Sequence, residues 1–227
     1  MQHDRHSDGL RFGRLAATLA VAVAAAALPA ACSHSSDSSG NASGNASPAS
    51  ATAAPVAMTT TAPADAVPIR IVTSAGTIDL VLDKTHAPKT TANFLRYIDS
   101  GFFSGGTFFR AVPGFVIQGG NKTREKPADP KLELEPPIKT GLRNVEGAIS
   151  MARTQDPNSA TSEFFIDDGD QPSLDGSMEQ PGYAAFGHVT AGMDVVHKIV
   201  NMPAQNEMLT KPVTIVRIVR LPAAKGT

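Results

Sequence analysis

Between residues 102 and 187 short apolar runs are cut repeatedly by Gly, Pro, Asn and Asp. A helix of ordinary length needs an apolar stripe recurring every three to four residues. Broken runs of this kind build short strands joined by irregular loops instead. The longest interruption, NKTREKPADPKLELEPPIKTGLRN (residues 121–144), has a length that compact domains keep for function or leave without structure. Upstream, IRIVTSAGTIDLVL (residues 69–82) alternates apolar and polar residues on both sides of SAG, which predicts a hairpin with Gly76 in its turn. Two stretches have helical spacing. In APKTTANFLRYIDSG (residues 87–101), Pro88 suits a first turn, Ala92, Leu95 and Ile98 repeat alongside Phe94, and Gly101 suits a C-terminal cap. In GMDVVHKIVN (residues 192–201), Met193, Val196 and Val200 form one face. VTIVRIVRL (residues 213–221) closes the chain as a strand. Many strands and two helices predict a mainly β, mostly antiparallel structure that closes into a barrel.

That pattern begins near residue 67. Before it, Arg5, Arg11 and Arg14 precede the apolar run LAATLAVAVAAAALPA (residues 15–30), which is shorter than a membrane-spanning helix needs. Residues 1–31 therefore read as an export signal. Cys32, the single cysteine, follows PAA in the position a lipoprotein signal gives to the residue that is lipidated, with Pro29 where Leu is usual. Ordinary cleavage near Ala30 or Ala31 is the alternative. The expectation is a periplasmic protein, lipid-anchored through Cys32, with Ser33 directing it to the outer membrane. Residues 32–66 are almost all Ser, Ala, Thr, Pro, Gly and Asn, too apolar-poor to bury anything, and predict a disordered tether. The folded domain spans residues 67–222, with residues 223–227 a tail.

The domain carries 16 Lys/Arg against 17 Asp/Glu between residues 67 and 221, with no basic stripe, which argues against a nucleic-acid partner. Its chemistry is sparse. There is no P-loop or nucleophile elbow, and GFFSGG is not followed by a helical pattern. His86, His188 and His197 lack metal spacing and read as surface or core-edge residues. DDGD (residues 167–170) reads as a solvated turn rather than a calcium loop.

What remains is a pair of apolar segments with isolated polar side chains. In FFRAVPGFVIQGG (residues 108–120), Arg110, Val112, Val116 and Gln118 fall on one strand face, and the Pro113-Gly114 bend displaces Phe115 toward the same place. In the second, Glu163 and Phe165 share a face, and Met151, Ala152 and Arg153 end a strand that runs into a polar loop. FFRAVPGFVIQGG, GAISMAR, NSATSEFFI, SLDG and AAFGHVTAGMDVV, in this order, resemble the cyclophilin family of peptidyl-prolyl cis-trans isomerases. PPIKTGLRN and MARTQDPNSATS resemble its exported bacterial branch.

The resemblance implies a closed eight-stranded antiparallel β-barrel capped by two α-helices, with an active groove on its outer face. It implies no cofactor or metal, a monomer, and proline-containing polypeptide clients in the folding of exported proteins. Arg110 matches the catalytic arginine and Gln118 the amide that orients it and contacts the substrate backbone. Phe115, Val116, Phe165 and Leu174 match the proline pocket, with Val116 where Met is commoner. Met151, Ala152 and Arg153 match the peptide-binding strand end, Arg153 replacing an Asn, and Tyr183 stands where His is frequent. Glu163 stands where Gln is usual. Ser173 replaces a large aromatic residue that helps to bind cyclosporin, which implies weak drug sensitivity. A non-catalytic peptide-binding or holdase barrel is the competing expectation.

Overall fold

The alternation in residues 69–82 folds as a hairpin of β1 (Ala66–Thr73) and β2 (Thr77–Asp83). Ile69, Ile71, Ile78, Leu80 and Leu82 are buried on its inner face. Arg70 and Asp79 sit opposite one another outside and share two 2.7 Å hydrogen bonds. The computed structural model describes residues 65–124 and 132–222. The signal segment, Cys32, the tether up to residue 64 and the tail fall outside them. β1 opens at Ala66, one residue before the expected domain start.

The chain continues through α1 (Pro88–Asp99), β3 (Thr107–Val112), β4 (Val116–Gly120), the one-turn helix α2 (Pro137–Thr140), β5 (Ala148–Met151) and β6 (Phe164–Asp167). It then forms β7 (Ala185–Ala191), α3 (Met193–Val200), β8 (Ala204–Gln205) and β9 (Met208–Arg220). Hydrogen-bonded neighbours run β1-β2-β7-β5-β6-β4-β3-β9, all antiparallel, and β9 pairs back onto β1. Eight strands therefore close a barrel, and closure removes the exposed edges that an open sheet would present. The two-residue β8 lies outside this ring, paired with the start of β9.

The interior is aromatic. Phe94 of α1 packs 4.9 Å from Phe103, 5.3 Å from Phe164 and 5.1 Å from Phe186, mostly in tilted or edge-on geometry. α1 lies against β2 and β9, and α3 against β2, β3 and β4. The α1 face differs from the expected one: Ala92 is exposed, whereas Thr91, Phe94, Leu95 and Ile98 are buried. A strict three-residue repeat drifts off a helix of 3.6 residues per turn, and the face follows the i, i+3, i+4, i+7 pattern. α3 likewise buries Val195, Val196, Ile199 and Val200, with Met193 only partly covered. The third helix, α2, arises inside the long 121–144 segment, where Pro137 opens the turn and Gly141, at φ 75°, ends it.

Candidate active site

Phe108 and Arg110 stand two residues apart, so a regular strand would send both side chains to the same face. A β-bulge separates them. Phe108 pairs with Gly119 and Arg110 with Gln118, leaving Phe109 as the extra residue. Phe108 thereby enters the core while Arg110 turns outward, and the ring of Phe109 packs beneath the Lys122 ammonium at 3.7 Å. The outward row then runs Arg110, Gln118, Phe165 and Ser150 across β3, β4, β6 and β5. A second row pairs Val112, Val116 and Asp167.

The Pro113-Gly114 turn is held from β6's far end. Gly114, at φ 70°, donates its N–H to Asp168 Oδ2 at 2.7 Å, and its carbonyl accepts from Gln171 Nε2 at 2.9 Å. The Asp168 N–H donates to the Phe115 carbonyl at 2.8 Å. This clamp sets Phe115 half-buried beside the guanidinium, 5.7 Å from Arg110 Cζ to the ring centroid. At the other end of β4, Gly120 lies at φ 156°, where a β-carbon would stand 3.2 Å from Glu163 Cα. Glycine here lets Glu163 approach the row.

Arg110 is held on two sides. Nε and Nη2 both reach Glu207 Oε2, at 2.8 and 2.7 Å, and Nη1 donates to Gln118 Oε1 at 3.3 Å. Gln118 Nε2 in turn donates to Glu163 Oε2 at 2.8 Å. Beside this chain, Phe165 meets Tyr183 edge-on at 5.6 Å, and the Arg153 guanidinium lies over the Tyr183 ring at 4.5 Å. Arg153 also donates to the carbonyls of Thr154, Pro181 and Gly182, which staples the SMEQPG segment (residues 177–182) to the end of β5. Leu174 accepts the Tyr183 N–H, so its loop closes against the same side. Ala152 donates its N–H to the Glu163 carbonyl. The structure thus brings together Arg110, Gln118, Phe115, Val116, Ala152, Arg153, Glu163, Phe165, Leu174 and Tyr183. Met151 does not join them: its side chain is 1% exposed and packs in the barrel core, inward of the strand end.

The DDGD run is not wholly a solvated turn. Asp167 ends β6 fully buried, and neither carboxylate oxygen has a hydrogen-bond partner among the described residues. Burial, with the neighbouring charge of Asp175, pushes its pKa up to about 8. Burial also raises Asp175, but the backbone and side-chain amides of Asn144 and the Arg143 guanidinium outweigh it and hold that carboxyl below its ordinary value. Asn144 is itself buried and accepts from Ser150 Oγ at 2.6 Å, tying the outer row to this second layer. His86, His188 and His197 are exposed, as expected.

Residues 68–220 match the model of the cyclophilin type peptidyl-prolyl cis-trans isomerases. The chain belongs to this family. Its cyclophilin relatives include peptidyl-prolyl cis-trans isomerase A of Dickeya dadantii, 41% identical over 155 residues, which cover 65% of this chain and 80% of that protein. Peptidyl-prolyl cis-trans isomerase B of Escherichia coli is 41% identical over 134 residues, 56% of this chain and 80% of that one. Among solved structures, a Cryptosporidium parvum cyclophilin determined in the presence of the dipeptide Ala-Pro superposes with a TM-score of 0.61 and 26% identity, covering 69% of this chain and 99% of that chain.

Glu207 was not foreseen. The closing strand begins at Met208, five residues before the expected Val213, and runs through Pro212. Pro212 sits where the β3–β9 register jumps from Phe108↔Val213 to Arg110↔Met208, an irregularity that tolerates proline. The signal that marks the earlier start is the polar pair Asn206-Glu207 ahead of Met208 and Leu209.

Proposed function

We propose that the outer face built on β3, β4 and β6 accelerates cis-trans rotation of X-Pro peptide bonds. The observation that carries this reading is the cross-strand pair of Arg110 and Gln118, hydrogen-bonded to one another and flanked by Phe115, Val116 and Phe165. Rotation about an X-Pro bond faces a barrier of about 18–20 kcal/mol and needs no nucleophile, because no bond is broken. Amide resonance is what resists. In the twisted state the prolyl nitrogen becomes pyramidal and exposes a lone pair. A guanidinium N–H directed at that nitrogen binds the twisted state more strongly than either planar one, which is the differential binding that raises a rate. A thousandfold acceleration requires about 4 kcal/mol, a magnitude open to one charge-assisted hydrogen bond in a partly dry groove.

In this reading Phe115, Val116, Phe165 and Leu174 hold the proline ring, and the acyl side of the bond turns. Gln118 and the Ala152–Arg153 strand end hold the neighbouring peptide backbone. The clients are exported polypeptides with slow X-Pro steps, met by a monomer in the periplasm and tethered through a lipidated Cys32 to the outer membrane. The expected weak response to cyclosporin rests on Ser173. The deciding test is a cis-trans exchange assay on an X-Pro peptide with the wild type and Arg110→Ala. The wild type should exceed the buffer rate by orders of magnitude and Arg110→Ala should lose most of that gain. Equal rates for both proteins and buffer would leave only a peptide-binding barrel.

A further inference from the structure

The turn that delivers Glu207 is built against its own backbone preference. Asn206 and Glu207, at φ 49° and 67°, are the two non-glycine residues with positive φ among the described residues. They are the central pair of a two-residue hairpin between Gln205 and Met208, the geometry of a type I′ turn. That turn prefers Asn-Gly. Asn tolerates the left-handed region, but a glutamate there carries a steric cost that glycine lacks. The ion pair it forms does not explain its presence through stability, since the Glu207 side chain is 52% exposed and pairs of that kind contribute little to folding. The turn's hold on β3 does not need the side chain either. It is the Glu207 carbonyl that accepts the Ala111 N–H, at 2.9 Å, and any residue supplies that carbonyl. What the side chain does is reach the Nε and Nη2 edge of Arg110.

We propose that Glu207 is a positioning residue for the isomerisation, acting through Arg110. This rests on the isomerase reading above. A guanidinium has five N–H donors in one plane. Glu207 takes two along one edge and Gln118 takes one from Nη1, so the plane is fixed from two directions. Among the described residues, one N–H on each of Nη1 and Nη2 is left for a substrate. Without Glu207 one hydrogen bond among the described residues holds the plane, the 3.3 Å contact to Gln118, with the Phe115 ring 5.7 Å from Cζ, and the side chain, 24% exposed, gains freedom to swing. Because the guanidinium acts on the rotated state, that freedom lowers turnover while leaving ground-state peptide binding in place.

The test uses the full chain and two variants, Glu207→Gly and Glu207→Gln, with kcat and KM measured on an X-Pro peptide and thermal unfolding followed in parallel. Glu207→Gly creates the Asn-Gly pair the turn prefers, so its Tm should equal or exceed that of the wild type. Its kcat should nevertheless fall about tenfold, with KM within about twofold. Glu207→Gln keeps an acceptor oxygen without the charge and should lie between. The NMR signal of the Arg110 Nε–H should be present in the wild type and broadened away in Glu207→Gly. An unchanged or raised kcat in Glu207→Gly, or a Tm that falls with kcat, overturns the positioning role while the isomerase reading stands. A wild type no faster than buffer removes both.

Discussion

Asp167→Asn isolates one buried proton. The Asp167 carboxyl ends β6 opposite Val116, fully buried, with both oxygens unpartnered among the described residues and the Asp175 carboxylate as its charged neighbour. Its pKa rises from 3.8 to about 8 on folding. The sign follows from proton counting: between those values the folded state holds a proton that the unfolded state has released. Stability is therefore greatest below pH 4 as far as this group is concerned, falls as pH rises toward 8, and levels off above it. Each pH unit in that window costs the folded state about 1.4 kcal/mol, on the order of 5 kcal/mol across the whole of it. Asparagine cannot titrate, so the variant should lack this slope. Its amide still needs partners the site does not offer, a cost of about 1–3 kcal/mol at every pH, which makes the slope and not the absolute stability the readout. Urea unfolding of both proteins from pH 4.5 to 8.5 gives the two curves. The carboxylates held low by their partners, Asp79, Asp83 and Asp175, lose their contributions only at more acid pH and do so in both proteins. The variant should gain on the wild type by roughly 1 kcal/mol or more per pH unit. Parallel curves would refute a neutral Asp167 in the folded state.

Two further outcomes test the core and the anchor. Phe94→Ala empties the centre of a four-ring cluster with Phe103, Phe164 and Phe186, and denaturant unfolding should show a loss of about 3–5 kcal/mol; a loss below about 1 kcal/mol would mean that the barrel interior collapses onto the space. Growth with a palmitate analogue should label the wild type and not Cys32→Ser, and an unlabelled wild type would remove the lipid anchor.

The hairpin and the helices were legible in the sequence because their signals are local, whereas the eight-stranded closure, made by β9 pairing back onto β1, was implied by the family resemblance. Alternation in residues 69–82, Pro88 and Gly101 around α1, and Gly192 before α3 each settle a short stretch by steric preference alone. The helix faces were less legible, since Ala92 and Thr91 differ by one residue on a rotating stripe and only packing against β2 and β9 chooses between them. The site shows the same division. Arg110 and Gln118 share strand parity, and the structure pairs them directly. The bulge at Phe109, which keeps Phe108 inside while Arg110 faces out, has no sequence mark beyond two adjacent phenylalanines. Asp167 reads as part of a polar turn because three of the four residues of DDGD are aspartates; that it ends a strand whose face is covered is a property of the closed barrel.

Glu163 is a carboxylate beside the row and could have drawn Arg110 to itself. It bonds Gln118 instead, and the consequence is an ordering one. A carboxylate only accepts, so it takes the amide nitrogen of Gln118 and turns the amide oxygen toward Arg110. A glutamine at 163 could present either end and would leave that choice open. The row thus alternates Glu207, Arg110, Gln118 and Glu163, with an acid at each end and a single cation between, while Arg153 supplies the second cation from the β5 end.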